Sequence, residues 1–291
     1  MTPAEPIVEQ IEQASFLDEP AKAVGKQVRS ATSAQQTLKD ALSGTWLGHA
    51  VHPMLTDVVI GSFFSATVLD LLGGEDASPA AERLIATGIA AYPVTAATGA
   101  NDWADSEIAD PKIRRVGIVH AAGNVVALSL YGASLAKRRR GQWRHGAVLS
   151  ALGAAVLMGG GYLGGHLSLR RGVGPDQTIF DPGPTDWTPA ADAAQLQEGR
   201  PTRVVVDETP VLLLRQGGLT FAIHDRCSHR GCSLSEGQLE GEEIVCACHG
   251  SRFSLRDGAI LNGPATAAQP AFQVRDNEGR IEVRRLDPGS A

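Results

Sequence analysis

The chain has 291 residues, with 26 lysines and arginines against 32 acidic residues and a formal charge of −6. That length exceeds one ordinary domain, and the acidic balance, with no basic block beyond one short run, speaks against nucleic acid as a partner. The mean hydropathy of −0.06 would fit a soluble protein, but it averages polar ends with strongly apolar middle segments.

Residues 1–43 are polar and mixed in charge, without the basic start and apolar core of a signal peptide, and read as a polar N-terminal tail. Ile7, Ile11 and Ala14 share one helical face, so an amphipathic surface helix is the alternative to a loosely docked tail. Residues 44–169 hold four apolar runs: Trp46 to Leu72, Leu84 to Ala100, Val116 to Ala136 and Ala147 to Leu167. Each is about 17 residues or longer, enough for a helix to cross the hydrocarbon core. The third and fourth contain no Asp, Glu, Lys or Arg, whereas a soluble bundle needs a polar outer stripe. An all-α four-helix transmembrane bundle is therefore expected, with Gly160/Gly164 and Gly161/Gly165 as small-residue pairs that let helices approach closely.

In an up-and-down bundle the starts of spans one and three and the ends of spans two and four lie on one membrane face. His49 and His52 open the first span, His120 lies near the start of the third and His166 closes the fourth. At 1.5 Å rise per residue all four fall within roughly 10 Å of that face. Asn101 and Asp102 join this level, and Asp57 and Asn124 extend it inward. Ionisable residues inside a membrane usually mark a site, so the group reads as a redox or quinone site, or as a b-type haem held by two of His52, His120 and His166. The plainer reading is interfacial histidines that are solvated or hydrogen-bonded to neighbouring helices. The sequence His49-Ala50-Val51-His52-Pro53 also resembles the HxxHP-like first span of a bacterial family of four-helix membrane domains, which implies an architecture and no reaction.

Residues 170–188, with three glycines and three prolines, read as a tether. Residues 189–291 then read as an all-β domain. From Thr202 to Asp225 short β-branched runs are broken by turn signals, and Ala271–Asp276 and Arg280–Leu286 form the last strands, joined at Asn277-Glu278-Gly279. His224, between a strand and the motif that follows, reads as an ordinary surface histidine.

All four cysteines lie between Phe221 and Pro264, as Cys227-x-His229, sixteen residues, then Cys246-x-x-His249, with Cys232 and Cys248 beside them. Thiolate and imidazole pairs on two separated loops suit a two-iron cluster in which one iron takes two sulfurs and the other two ring nitrogens. A structural zinc site, the plainer reading, uses CxxC or HxxxH pairs on a short finger and leaves Cys232 and Cys248 without a role.

The segment resembles a Rieske [2Fe-2S] domain of the kind found in cytochrome bc-type complexes, in both ligand motifs, in the second cysteine of each loop (CSHRGC, CACHGS) and in the flanking GPA. The resemblance implies an antiparallel fold in which Cys227 and Cys246 bind one iron, His229 and His249 bind the other, and Cys232 and Cys248 form a disulfide over the cluster. Ser251 matches the family's serine that donates to a bridging sulfide. Phe253 stands where high-potential members have tyrosine, so one hydrogen bond is missing and a potential below the top of the roughly −150 to +300 mV range is expected.

These expectations describe a membrane-anchored electron-transfer protein with one [2Fe-2S] cluster and no catalytic residue of its own, exchanging electrons with a quinol in the membrane or a haem partner protein. The alternative is a redox sensor or assembly factor of a membrane respiratory complex. No histidine follows His249, which speaks against an oxygenase carrying its own two-histidine, one-carboxylate iron downstream. No glycine fingerprint opens a helix after a strand, as NAD(P)H binding would need. Loop charges, six against seven, leave the orientation in the cell membrane undecided. The implied disulfide, a bond that persists outside the cytosol, puts the β domain on the extracytoplasmic side. Arg138, Arg139 and Arg140 then resemble the twin-arginine export signal of polytopic Rieske proteins; a positive-inside anchor is the plainer reading.

Overall fold

The computed structural model describes residues 5–286 in two compact units. One joins the residues up to Ala34 with Val51–Val173; the other joins Gln35–Ala50 with the residues from Gly174 onward. Seven α-helices occur among the described residues. They are α1 (Glu5–Gln13), α2 (Asp18–Ser33), α3 (Gln36–Ser43), α4 (His52–Gly73), α5 (Ser78–Ser106), α6 (Pro111–Arg138) and α7 (Trp143–Gly165), the last continued by a π-helical turn, His166–Arg170.

The first unit contains every helix except α3. Proline sits in the opening positions of α4, α5 and α6, where its missing N–H would have no helical partner. Asp110 caps α6 by accepting the Lys112 N–H at 2.8 Å. Four long helices are present, as expected, but only α4, α6 and α7 with its turn are long and apolar enough to cross a membrane. In α5 the apolar stretch is diluted by Thr87, Thr95, Thr98, Tyr92 and Pro93, and it closes on Asn101.

Helix contacts in this unit are made by small residues against rings. Phe63 and Tyr131 stack with centroids 4.1 Å apart, within a core that includes Val59, Ala66, Ile85, Ala127 and Leu157. A Cβ at Gly88 would collide with the Phe63 ring, and one at Gly153 with the Tyr131 ring. Gly160 and Gly164 face Asn124 and His120 in the same way, whereas Gly161 and Gly165 face open space. Only the first of the two glycine pairs is thus a close-approach site. Arg138 is buried, ion-pairs with Asp70 and hydrogen-bonds Ser78, Ser134 and Ser150 at 3.2–3.3 Å. Of the arginine run, Arg139 and Arg140 are exposed and Arg138 is not.

The segment expected as a polar tail is helical because its charges are halves of ion pairs. Arg29 on α2 and Arg114 on α6 both reach the buried Glu107, at 2.7 and 2.6 Å. Arg115 clasps Asp18 with two hydrogen bonds of 2.9 and 2.7 Å. Glu12 on α1 meets His166 at 2.9 Å and pairs with Arg171.

The second unit is antiparallel β with α3 attached. Its strands are β1 (Thr188–Asp192), β2 (Thr202–Val206), β3 (Thr209–Gln216), β4 (Leu219–His224), β5 (Gln238–Glu240), β6 (Glu243–Val245), β7 (Arg252–Ser254), β8 (Ile260–Asn262), β9 (Ala271–Asn277) and β10 (Arg280–Arg285). Six form a sheet in the order β1-β10-β9-β4-β3-β2, and four form a second, β5-β6-β7-β8. The leucine-rich β3 is buried on both faces. Leu212 and Leu214 pack with Ile223, Ile244, Phe253 and Leu255 on one side, and Val211 and Leu213 with Phe272, Ile281 and Val283 on the other, following the alternation of a strand. The β9–β10 turn carries positive φ at Glu278 and Gly279, as a two-residue hairpin requires.

From Gly174 on, the expected tether is fastened to this unit. The Gln177 N–H donates to the Ser228 carbonyl at 3.0 Å, the Thr209 hydroxyl donates to Asp181, and the Phe272 ring lies over Gly183.

Candidate metal centre

Two loops of the β unit, one after β4 and one between β6 and β7, repeat a single construction. In the first, the Gly231 N–H donates to the Cys227 carbonyl at 2.8 Å and the Cys227 N–H to the Cys232 carbonyl at 2.8 Å. In the second, the Gly250 N–H donates to the Cys246 carbonyl at 3.0 Å and the Cys246 N–H to the Ser251 carbonyl at 2.9 Å. Gly231 and Gly250 have φ of 78° and 77°, the left-handed region that a side chain disfavours. The signal was in the sequence, a glycine four residues after the first cysteine of each loop, and reading for ligands alone passed over it.

The turns bring like donors together. Cys227 and Cys246 are buried, at 1% and 2% exposure, and their sulfurs share a hydrogen bond. Backbone N–H groups of His229 and Arg230 converge on the Cys227 sulfur, and those of Cys248 and His249 on that of Cys246. The hydrogen bond from Cys227 and these amides hold the Cys246 thiol down to about 7, against the effect of burial; the same shared bond and burial push Cys227 up. The half-buried His229 and His249 rings stand 5.0 Å apart, edge to face at 89°. Burial, followed by the neighbouring His249, Arg230 and Lys39, keeps His229 well below its usual pKa, so its imidazole is neutral, the form that binds metal.

Cys232 and Cys248 form a disulfide, with Cα atoms 6.5 Å apart, that ties the two loops together. Their sulfurs and that of Cys246 lie within 4.8 Å of one another, yet a disulfide offers no thiolate, so these three do not make a three-sulfur metal site. A third loop closes the arrangement. The Ala265 N–H donates to Ser251 Oγ at 3.0 Å, and the Ser228 hydroxyl donates to the Ala267 carbonyl at 2.6 Å. Phe253 is fully buried beneath the second loop.

His224 is not the surface residue its context implied. It is buried, its Nδ1 accepts the Arg226 N–H at 3.0 Å and its Nε2 faces Asp181 at 3.3 Å. It anchors the start of the first loop. Burial lowers its pKa.

The donor set fits a cluster with mixed ligation: two sulfurs cradled by N–H groups below, and two imidazoles nearer the surface. Thiolates need those N–H donors once they carry cluster charge, and neutral imidazoles keep the total charge low.

Within the helical unit, two of the expected histidines share a cavity. His52 and His120 line one small cavity of about 70 Å³ with Phe63, Tyr92, Thr95 and Asn124. His52 Nδ1 contacts the Thr95 carbonyl at 3.0 Å. His120 is engaged at both nitrogens, by the Gly160 carbonyl at 2.8 Å and Asn124 Nδ2 at 3.0 Å. His166 is held by Glu12. His49 belongs to the other unit, where its ring meets the Ala50 carbonyl at 3.0 Å.

Comparison with known proteins agrees with this division. Residues 186–273 match the family described as the Rieske [2Fe-2S] domain, and residues 48–177 the family described as "Predicted membrane protein (DUF2231)". The anthranilate 1,2-dioxygenase ferredoxin subunit of Burkholderia cepacia is 32% identical over 98 residues, covering 34% of this chain and 91% of that protein. The 3-phenylpropionate/cinnamic acid dioxygenase ferredoxin subunit of Escherichia coli (strain K12) is 39% identical over 96 residues, covering 32% and 89%. Among solved structures, the ferredoxin of carbazole 1,9a-dioxygenase from Nocardioides aromaticivorans IC177 is 32% identical, covering 35% of this chain and all of that one, with a TM-score of 0.33. The chain therefore belongs to the Rieske [2Fe-2S] family through its β unit, and its residues 48–177 match the family described as a predicted membrane protein.

Proposed function

We propose that this protein is a membrane-anchored one-electron carrier in which Cys227 and Cys246 hold one iron of the [2Fe-2S] cluster and His229 and His249 the other. The observation that carries the reading is the pairing of like donors by two matching loops, sulfurs deep and imidazoles shallow. Bound there, the cluster accepts and returns single electrons. The backbone amides around each sulfur stabilise the charge it carries, and the half-buried imidazole edges give an electron its shortest way in or out.

The donor in this reading is a quinol in the bilayer or a haem protein beside it. The helical unit in the same chain supports it, because it keeps the carrier where such a donor is found. A bis-histidine haem within the bundle has less support than a quinol. The cavity between His52 and His120 is far below the roughly 300 Å³ where ligand pockets begin, and both nitrogens of His120 are engaged. A second reading, in which electrons pass to an oxygenase component, is favoured by the relatives, which are ferredoxin subunits of dioxygenases. The Cys232–Cys248 disulfide supports an extracytoplasmic β unit.

The test is spectroscopic. Protein purified anaerobically in detergent, once reduced, is expected to give the electron paramagnetic resonance signal of a mixed-ligand two-iron cluster. In membranes, quinol is expected to reduce it. Material without iron and acid-labile sulfide overturns the proposal. A loaded cluster that quinol leaves oxidised, but that reduces an added oxygenase component, moves the reading to the second partner class.

A further inference from the structure

Within the helical unit, α4, α5, α6 and α7 surround the cavity of about 70 Å³ that His52 and His120 line. Most polar groups in its wall are already engaged. The Thr95 hydroxyl donates to the Ala91 carbonyl at 3.0 Å, and both nitrogens of His120 are occupied, by Gly160 and Asn124. His52 is different. Its Nδ1 lies 3.0 Å from the Thr95 carbonyl and 3.2 Å from Thr98 Oγ1. A carbonyl only accepts, so Nδ1 carries the hydrogen and the neutral ring presents a bare lone pair at Nε2. The ring is packed against the backbone of α5, where a Cβ at Gly99 would collide with it. Among the described residues no group hydrogen-bonds to His52 Nε2 or to the hydroxyl of Tyr92, which lines the same cavity.

Water is poorly matched to this space. Val59, Phe63, Ala127 and Leu157 give it an apolar wall that belongs to the helix core, whereas a buried water typically makes about three hydrogen bonds. The margin is open, since Ile60 and Gly161 are exposed and a Cβ at Gly161 would meet nothing within 4 Å. These two residues stand on α4 and α7, both long and apolar enough to cross a membrane, so what reaches the margin is what dissolves in hydrocarbon. The matching molecule is apolar, carries a ring for the apolar wall and has a hydroxyl that donates to nitrogen. A quinol has all three features. A whole ring would need a far larger pocket, but about 70 Å³ admits its hydroxylated edge while the remainder stays among lipid chains.

We propose, resting on the reading of a quinol as the electron donor, that this cavity is where the quinol docks, with its hydroxyl donating to His52 Nε2 and its ring edge against the apolar wall. Tyr92 offers its hydroxyl to a ring oxygen. His120, engaged at both nitrogens, holds α6 to α7 and serves as wall.

Binding to the full-length protein in detergent tests the site, with the cluster kept reduced by excess dithionite so that no electron is exchanged. The probes are a decyl-tailed benzoquinol and its dimethyl ether, which keeps the ring and lacks both O–H groups. Wild type is expected to bind the quinol about five- to tenfold more tightly than the ether, the equivalent of one hydrogen bond. His52→Asn keeps an N–H for the Thr95 carbonyl and has no counterpart of Nε2, so it is expected to bind both probes alike, with the ether within about twofold of wild type. Gly161→Leu fills the open margin and is expected to weaken both probes about tenfold without lowering the unfolding midpoint. Equal affinity of wild type for the two probes overturns the proposal, as does a quinol preference that survives in His52→Asn, or unchanged binding in Gly161→Leu. A loaded cluster in wild-type protein that binds no quinol refutes this site and leaves the carrier a haem protein as donor; quinol binding as expected in protein that loads no cluster refutes the carrier reading and leaves the site.

Discussion

Ser251→Ala separates two contributions of one buried hydroxyl. Ser251 is 1% exposed, and its Oγ uses a lone pair to accept the Ala265 N–H at 3.0 Å, which leaves the hydroxyl proton free to donate. Its backbone carbonyl, bound to the Cys246 N–H at 2.9 Å, keeps the residue on the second loop in either variant. A proton directed at cluster sulfur binds more strongly after reduction, when the core becomes negative. A hydrogen bond contributes about 1 kcal/mol to a neutral group and about 1.5–3 kcal/mol to a charged one; the difference, about 0.5–2 kcal/mol, at 59 mV per tenfold for one electron lowers the potential by about 20–85 mV when the bond is removed. Redox titration of the loaded protein reads that fall directly. Separately, the orphaned Ala265 N–H costs about 1–3 kcal/mol of stability, read by unfolding. Phe253→Tyr, which adds a hydroxyl beneath the same loop, is expected to raise the potential. A fully loaded Ser251→Ala protein whose potential shifts by less than about 20 mV refutes the reasoning.

Cys232→Ser opens a loop closed across a sequence separation of 16, worth about 3 kcal/mol on chain-entropy grounds; the expected result is faster cluster loss and a lower unfolding midpoint, both also produced in wild type by a strong reductant. Arg138→Met leaves Asp70 buried without its cation and is expected to cost about 3–5 kcal/mol, with much of the loss recovered in Arg138→Met/Asp70→Leu, as measured by thermal unfolding in detergent. Burial holds His224 below its ordinary pKa in the folded protein, so the unfolded chain takes up that proton first. Stability from this residue is therefore complete above about pH 6.5 and falls as pH drops below it. His224→Gln is expected to flatten the unfolding midpoint between about pH 7 and 5, and an unchanged slope counts against the assignment.

The parts legible in the sequence are those where chemistry fixes residue type and spacing together. A mixed-ligand cluster needs two thiolates and two imidazoles on two loops, and Cys227, His229, Cys246 and His249 show that spacing without any knowledge of packing. The disulfide and Ser251 needed the family resemblance as well. The long apolar runs were legible because hydrocarbon tolerates so few charges, and α5 is the one whose threonines, Tyr92 and Pro93 leave it short of the apolar character of the other three. Residues 5–43, for which a helix through Ile7 and Ile11 was one of two readings, were legible only in part, for a different reason. Glu12 meets His166 across 154 positions and Arg29 meets Glu107 across 78, and no local pattern tells a charge that will be paired from one that will be solvated. His224 was illegible in the same way, since its Nε2 faces Asp181, in a segment that read as a tether.

The attachment of α3 also changes what the tether reading implies. A domain hung on one flexible linker can turn about a single hinge. Here the chain passes between the units at three places, after Ala34, after Ala50 and after Val173, because α3 and the turn that follows it are folded onto the third cluster loop. Swinging of the β unit on the last linker alone therefore requires α3 to let go. Hydrogen bonds of Gln36, Asp40 and Thr45 are among those that hold it, and at about 0.5–1.5 kcal/mol each releasing these three costs about 1.5–4.5 kcal/mol before any packing is counted. That is small enough for a docking partner to supply and large enough to keep the segment in place without one.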